Sequence, residues 1–154
     1  MSADLLTGEL VVHRHGPLTT AVGASMCLPG LGPPVVFGNR LLVDGGVLDN
    51  LPVTVMAADA EGPIIASKAN DSEAFMPDPN QPLAPPLLPE TLYRLILLGA
   101  RDTVEAARTH AAVVVTPDYE GVGMLEFHML DHMREQGRRA AAAALESAPA
   151  EIFG

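Results

Sequence analysis

Val35-Val36-Phe37-Gly38-Asn39-Arg40-Leu41-Leu42-Val43-Asp44-Gly45-Gly46 is the stretch on which the fold turns. Two short runs rich in β-forming and aliphatic residues flank Gly38-Asn39, a turn dipeptide, so the segment predicts a hairpin. Its second strand runs straight into Asp44 and two glycines. Downstream, Pro52 introduces a helix expected over Val53 to Ala60, since proline suits a first helical turn, where a backbone donor is not needed. Gly62-Pro63 then leads into Ile64-Ile65-Ala66, a short apolar run read as an interior strand. Strand, helix, strand in that order is the sequence sign of a crossover in an α/β sheet.

The same reading extends to both ends of the chain. Residues 9 to 13, Glu-Leu-Val-Val-His, follow the turn-like Thr7-Gly8 and predict a strand that ends at Gly16-Pro17. Leu18 to Cys27 predicts a short buried helix, stopped by Pro29-Gly30. The three prolines and two glycines of Pro29 to Pro34 exclude a regular element and predict a shaped loop. Residues 71 to 89 carry six prolines and few large apolar groups, which predicts a lid or a plain surface loop. Glu90 to His110 reads as one helix with Leu92, Leu95, Ile96 and Gly99 along its apolar stripe. Ala112 to Val115 predicts a last strand, a turn follows around Gly121 to Gly123, and Phe127 to Ser147 predicts a final helix, with Met124, Met129 and Met133 in a core stripe.

The totals narrow the classes of function. With 154 residues, 48% hydrophobic and 18% charged, the chain has the composition of a protein with a packed core. Nineteen acidic against nine basic residues give a formal net charge of -10, and no basic patch is available to neutralise a phosphate backbone, so nucleic acid is not an expected partner. The same charge opposes attraction to anionic headgroups, which leaves hydrophobic contact as the route to a lipid surface. Cys27 is the sole cysteine, which excludes an intrachain disulfide and a multi-cysteine zinc cage. Met1 to Glu9 lacks the basic start and long apolar run of an export signal, and no apolar stretch approaches the roughly 20 residues that cross a bilayer as a helix. A soluble, cytoplasmic chain is expected.

Asp44 is the candidate for chemistry. A carboxylate ending an apolar strand stands at the sheet border where α/β ligand sites form, and two glycines after it present no side chain to a partner. Asp-Gly is also a strong turn dipeptide anywhere, so on its own the motif reads equally as a strand-ending turn. The surroundings decide between these readings. Ala24-Ser25, Pro29-Gly30, Pro33-Pro34-Val35 and Asp44-Gly45-Gly46 stand in one order, followed by Val47-Leu48-Asp49-Asn50-Leu51-Pro52-Val53. This pattern resembles the patatin-like phospholipases, especially their bacterial, neuropathy-target-esterase-like branch. Asp4-Leu5-Leu6-Thr7-Gly8, Gly16-Pro17-Leu18, Pro117-Asp118 and Gly137-Arg138-Arg139-Ala140 extend the resemblance over nearly the whole chain, the proline-rich loop matching least.

The resemblance implies the C-terminal portion, residues 1–154, of a three-layer α/β/α fold with a mostly parallel sheet. It implies a lipid acyl hydrolase with a Ser-Asp dyad, in which Asp44 takes the serine proton as the hydroxyl attacks an ester carbonyl and then assists water in releasing the acyl group. Phospholipid or lysophospholipid is the implied substrate, with no cofactor and no metal. The Gly-x-Ser-x-Gly elbow and the glycine-rich oxyanion loop of such enzymes do not occur in this sequence. Gly23-Ala24-Ser25-Met26-Cys27 has Cys27 where the closing glycine belongs, and Ser25 reads as a buried helix serine. Hydrolysis by this chain alone is therefore not expected.

The remaining polar residues read as structural. Asp49 and Asn50 suit a helix-entry cap ahead of Leu51-Pro52. His13 with His15, and His128 with His132, lack a third ligand at a suitable spacing and read as solvated surface histidines. Cys27 reads as a small buried apolar residue. Two functional readings follow: an enzyme lineage whose nucleophile lies outside this chain, or a non-catalytic module for binding or regulation. In either case an uncovered apolar edge predicts self-association, or pairing with a nucleophile-bearing chain.

Overall fold

A computed structural model describes residues 1–69, 82–119, 122 and 126–153. Two compact units emerge, one of Met1–Asn50 with Pro77–Asp102 and one of Leu51–Met76 with Thr103–Gly154.

In the first unit four strands form an antiparallel sheet in the order β2-β1-β4-β3, with β1 Ser2–Asp4, β2 Leu10–Val11, β3 Val35–Phe37 and β4 Arg40–Asp44. The β3–β4 hairpin is the predicted one, and its turn places Gly38 at φ 61, a left-handed conformation that glycine adopts without cost. β4 is the centre of the sheet, pairing with β3 on one side and β1 on the other. Its Leu42 and Val43 are buried. β1 was not legible beforehand, because Ser-Ala-Asp contains no β-branched or aromatic residue; its place in the sheet comes from pairing rather than propensity. The strand expected over residues 9 to 13 shortens to Leu10–Val11.

Helix α1, Leu18–Ser25, forms where expected and packs on β4, β3 and β1. Its expected burial is corrected: Ala24 is enclosed, while Leu18, Val22 and Met26, four residues apart, are exposed. Helix α3, Leu88–Gly99, begins with Pro89 in its first turn, two residues inside the stretch predicted as loop. Residues 82–87 are irregular as expected, and the rest of that proline-rich stretch lies outside the described residues. The single helix expected over Glu90 to His110 is two, since the chain breaks at Ala100 before α4, Arg101–His110. The stripe is corrected as well. Leu97 and Ala100 are buried whereas Leu95 and Gly99 are exposed, because α3 carries aliphatic residues on most of its circumference and periodicity alone does not choose among its faces.

The second unit holds α2 Val53–Ala57, β5 Ile65–Ser67, most of α4, β6 Val113–Val115 and α5 Leu130–Glu146. Leu51, Val53, Ile64, Ala66 and Ala107 form its buried cluster, with Ala57, Val104, Ala111 and Val114 against it. β5 and β6 pair in parallel, Ile65 opposite Val113. This pair is a separate, parallel two-stranded sheet, and with the antiparallel sheet and the helices it makes the chain a mixed α/β protein. Of the strands in the expected crossover, β4 lies in the antiparallel sheet of the first unit and β5 in the parallel pair of the second. Within the second unit the parallel connection runs from β5 to β6. α5 follows a single 3-10 turn, Phe127–Met129, close to its predicted span, and packs on β6. Met129 and Met133 are half-buried, and Met124 lies outside the described residues.

Candidate active site around Asp44

Asp44 is the last residue of β4 and is half-buried. Its amide donates to the Cys27 carbonyl at 3.0 Å, which ties the strand end to the loop after α1. That loop is itself shaped: Cys27 is buried and its Sγ donates to the Pro33 carbonyl at 2.8 Å. Gly30 sits at φ 90 in contact with Pro89 and Leu92 of α3.

Beyond Asp44 the chain enters a 3-10 turn, Gly45–Val47, closed by Leu48 and Asp49 amides donating to the Gly45 carbonyl, both at 3.0 Å. The Gly46 amide donates to Asp44 Oδ1 at 2.7 Å. A bond this short to an ionised acceptor is of the stronger, charge-assisted kind and fixes that oxygen. Oδ2 has no hydrogen-bond partner among the described residues. The carboxylate is thus held by one oxygen and offers the other, an arrangement suited to accepting a proton from a hydroxyl brought to it.

The two glycines serve space rather than backbone freedom, since neither has a positive φ. A β-carbon on Gly45 would stand 3.0 Å from the Met1 carbonyl carbon and oxygen, so this position lets the start of β1 approach. A β-carbon on Gly46 would stand 2.9 Å from Asn50 Oδ1 and 3.0 Å from Asp44 Oδ1. Asp-Gly-Gly is a strand-ending turn, as its turn reading expects, with Asp44 Oδ1 capping it through the Gly46 amide, but its glycines need no left-handed dihedrals.

Other expected residues find their places. Ser25 ends α1 half-buried, not buried as expected. The residue that flanks α2 at its start is Pro52, which supplies no side-chain cap, rather than Asp49 or Asn50. His13 Nε2 lies 2.8 Å from Ser2 Oγ. Burial, then the positive charges of the N-terminus and Arg40, push the His13 imidazole below its ordinary value. His15, His128 and His132 are exposed, and no cluster of three histidine, cysteine or acidic side chains among the described residues is placed to hold a metal ion. Among the described residues no helix is long and apolar enough to cross a membrane.

Sequence reasoning missed Asp4. It is 2% exposed, and its Oδ1 accepts from the Leu6 amide at 3.1 Å and the Leu41 amide at 3.3 Å, joining β1 to β4. Burial pushes its carboxyl up, but the two amides, the Thr7 hydroxyl and the Arg40 charge outweigh burial and hold it below the ordinary value. The sequence signal was Asp4-Leu5-Leu6-Thr7-Gly8, which extends the family resemblance but gives the carboxylate no role of its own.

Fold and site together define an α/β protein with a strand-end carboxylate held in a glycine turn. Residues 5–57, which include this turn, match the family model for patatin-like phospholipase. An NTE family protein of Mycobacterium tuberculosis is 38% identical over 169 residues, spanning 97% of this chain. A second NTE family protein of that organism is 37% identical over 110 residues, 71% of this chain and 30% of its own length. Lysophospholipase NTE1 of Mycosarcoma maydis is 28% identical over 169 residues, 97% of this chain and 9% of its own. The chain belongs to the patatin-like phospholipase family, on its NTE-like side. It spans 29% of the length of the first of these relatives.

Proposed function

We propose that this chain supplies the proton-accepting carboxylate, Asp44, of a serine hydrolase acting on phospholipid or lysophospholipid acyl esters, with the nucleophilic serine on polypeptide outside these 154 residues. The observation that carries this reading is the one-sided hold on Asp44: Oδ1 is fixed by the Gly46 amide, and Oδ2 is without a partner among the described residues. A fungal relative named a lysophospholipase supports the substrate class.

In this scheme the serine O–H bond breaks as its oxygen bonds to the ester carbonyl carbon, and the proton passes to Asp44 Oδ2. Collapse of the tetrahedral species expels the alcohol, which takes that proton from the Asp44 carboxyl. Water then attacks the acyl-serine, giving up a proton to Asp44 in the same way; the bond from the acyl carbon to the serine oxygen breaks, that oxygen takes the proton back from Asp44, and the free acid leaves. Asp44 needs no histidine between itself and the serine. The net charge of -10 makes contact with a lipid surface hydrophobic in this reading, through side chains such as those left exposed on α1.

The test joins this chain, by co-expression or fusion, to a polypeptide carrying a Gly-x-Ser-x-Gly elbow and an oxyanion loop. Hydrolysis of a p-nitrophenyl ester and of lysophosphatidylcholine is expected from the pair and from neither part alone. Turnover no greater than that of the serine-bearing part alone contradicts the proposal and favours a non-catalytic module.

A further inference from the structure

Asp44 Oδ1 and Asn50 Oδ1 both lie within 3.0 Å of one point, the place a β-carbon on Gly46 would occupy, with Asn50 Cγ 3.7 Å from it. The coil from Gly45 explains why. With the Leu48 and Asp49 amides both bonded to the Gly45 carbonyl, the chain winds back so that residue 50 stands one turn beyond Gly46. At that spacing a side chain reaches over the residue four positions earlier. Only a hydrogen at position 46 leaves room for the Asn50 carboxamide and the Asp44 carboxylate on the same side.

We propose that Asn50 is a positioning residue for Asp44. Its carboxamide fills the space beside the carboxylate, restricts rotation of the Asp44 side chain, and so keeps Oδ1 on the Gly46 amide and Oδ2 free for a proton. This inference rests on the reading of Asp44 as proton acceptor and deepens it. In this role the Asn50 side chain does not need to touch substrate. A shorter residue here leaves a gap into which the carboxylate can turn, and the Gly46 amide loses its acceptor for part of the time.

The Gly46 amide reports this directly by NMR on the full chain, without any catalysis. In the parent, the bond to Asp44 Oδ1 is expected to slow its hydrogen exchange and to make its resonance respond to pH. In Asn50→Ala its exchange is expected to quicken about tenfold, in line with the worth of a hydrogen bond to a charged acceptor. The pH-dependent movement of its signal is expected to fall by about half or more, as the bond to the carboxylate is made only part of the time. The other β4 amides should keep their exchange rates. Should Asn50→Ala fail to fold, Asn50→Ser is measured with the same expectation. Exchange and pH response of Gly46 equal to the parent in a folded variant overturn the proposal. Because this readout involves no turnover, it fails separately from the role of Asp44, which Asp44→Asn tests in the assembled enzyme.

Discussion

At Gly45 an added methyl group would meet the Met1 backbone, and at Gly46 it would meet two side-chain oxygens, so the two substitutions should fail differently. Gly45→Ala forces strand β1 away from the turn and is expected to cost about 1–3 kcal/mol, the usual range for overpacking, read by denaturant unfolding. Gly46→Ala displaces flexible side chains instead and should cost less stability while disturbing Asp44 more. Equal stability of Gly45→Ala and the parent would contradict the close approach. Asp4 sets a pH dependence whose sign follows from its lowered folded-state value. Its ordinary value is 3.8, so the stabilisation is complete above that pH and is lost as pH falls through the lower folded value. Asp4→Asn should flatten the acid limb of stability, and an unchanged limb would deny the role. The sequence placed Asp44 at a strand end, where the structure has it. It placed Asp4 in a family-like segment but did not show that its carboxylate joins β1 to β4, nor how Asn50 meets Gly46, because both depend on contacts that only the folded chain creates.

Among the elements, those specified by local chemistry were legible: the Gly38-Asn39 hairpin, the helix after Pro52, the Val113–Val115 strand and the alanine-rich α5. Those decided by tertiary pairing were not, as β1 and the partner of β5 demonstrate. Faces were harder still, since α1 and α3 are apolar on more sides than their packing covers. α5 carries its own electrostatic test. The Glu135 carboxylate accepts from Arg138 at 2.9 and 2.7 Å and from Arg139 at 2.7 Å, which pulls it from 4.5 down to about 2. A carboxylate lowered in this way favours the helix above its ordinary value and loses that effect as pH falls toward about 2. These groups are exposed, so the contribution is small and salt-sensitive. The chemical shifts of α5 are expected to lose helical character over that pH range, and Glu135→Gln to remove the dependence. A parent and variant with identical profiles would contradict the pairing.

Across the whole molecule, apolar exposure and net charge act in opposition. Leu18, Val36, Leu83, Leu87, Leu88 and Phe127 are each at least 69% exposed, while the charge of -10 keeps copies apart. Salt screens the repulsion and leaves hydrophobic attraction in place. Light scattering is therefore expected to show association that grows with both protein and salt concentration, and a monomer unaffected by either would contradict this. A nucleophile-bearing polypeptide that covers part of that surface should suppress the association as it completes the site. The central claim concerns one carboxylate, and its neighbour five residues on provides the control. In the assembled enzyme, the kcat/KM for lysophosphatidylcholine should fall about a hundredfold or more in Asp44→Asn, the scale of a lost general base, and stay near the parent value in Asp49→Asn. Full activity in a folded Asp44→Asn variant, or an equal loss in both, would contradict the account.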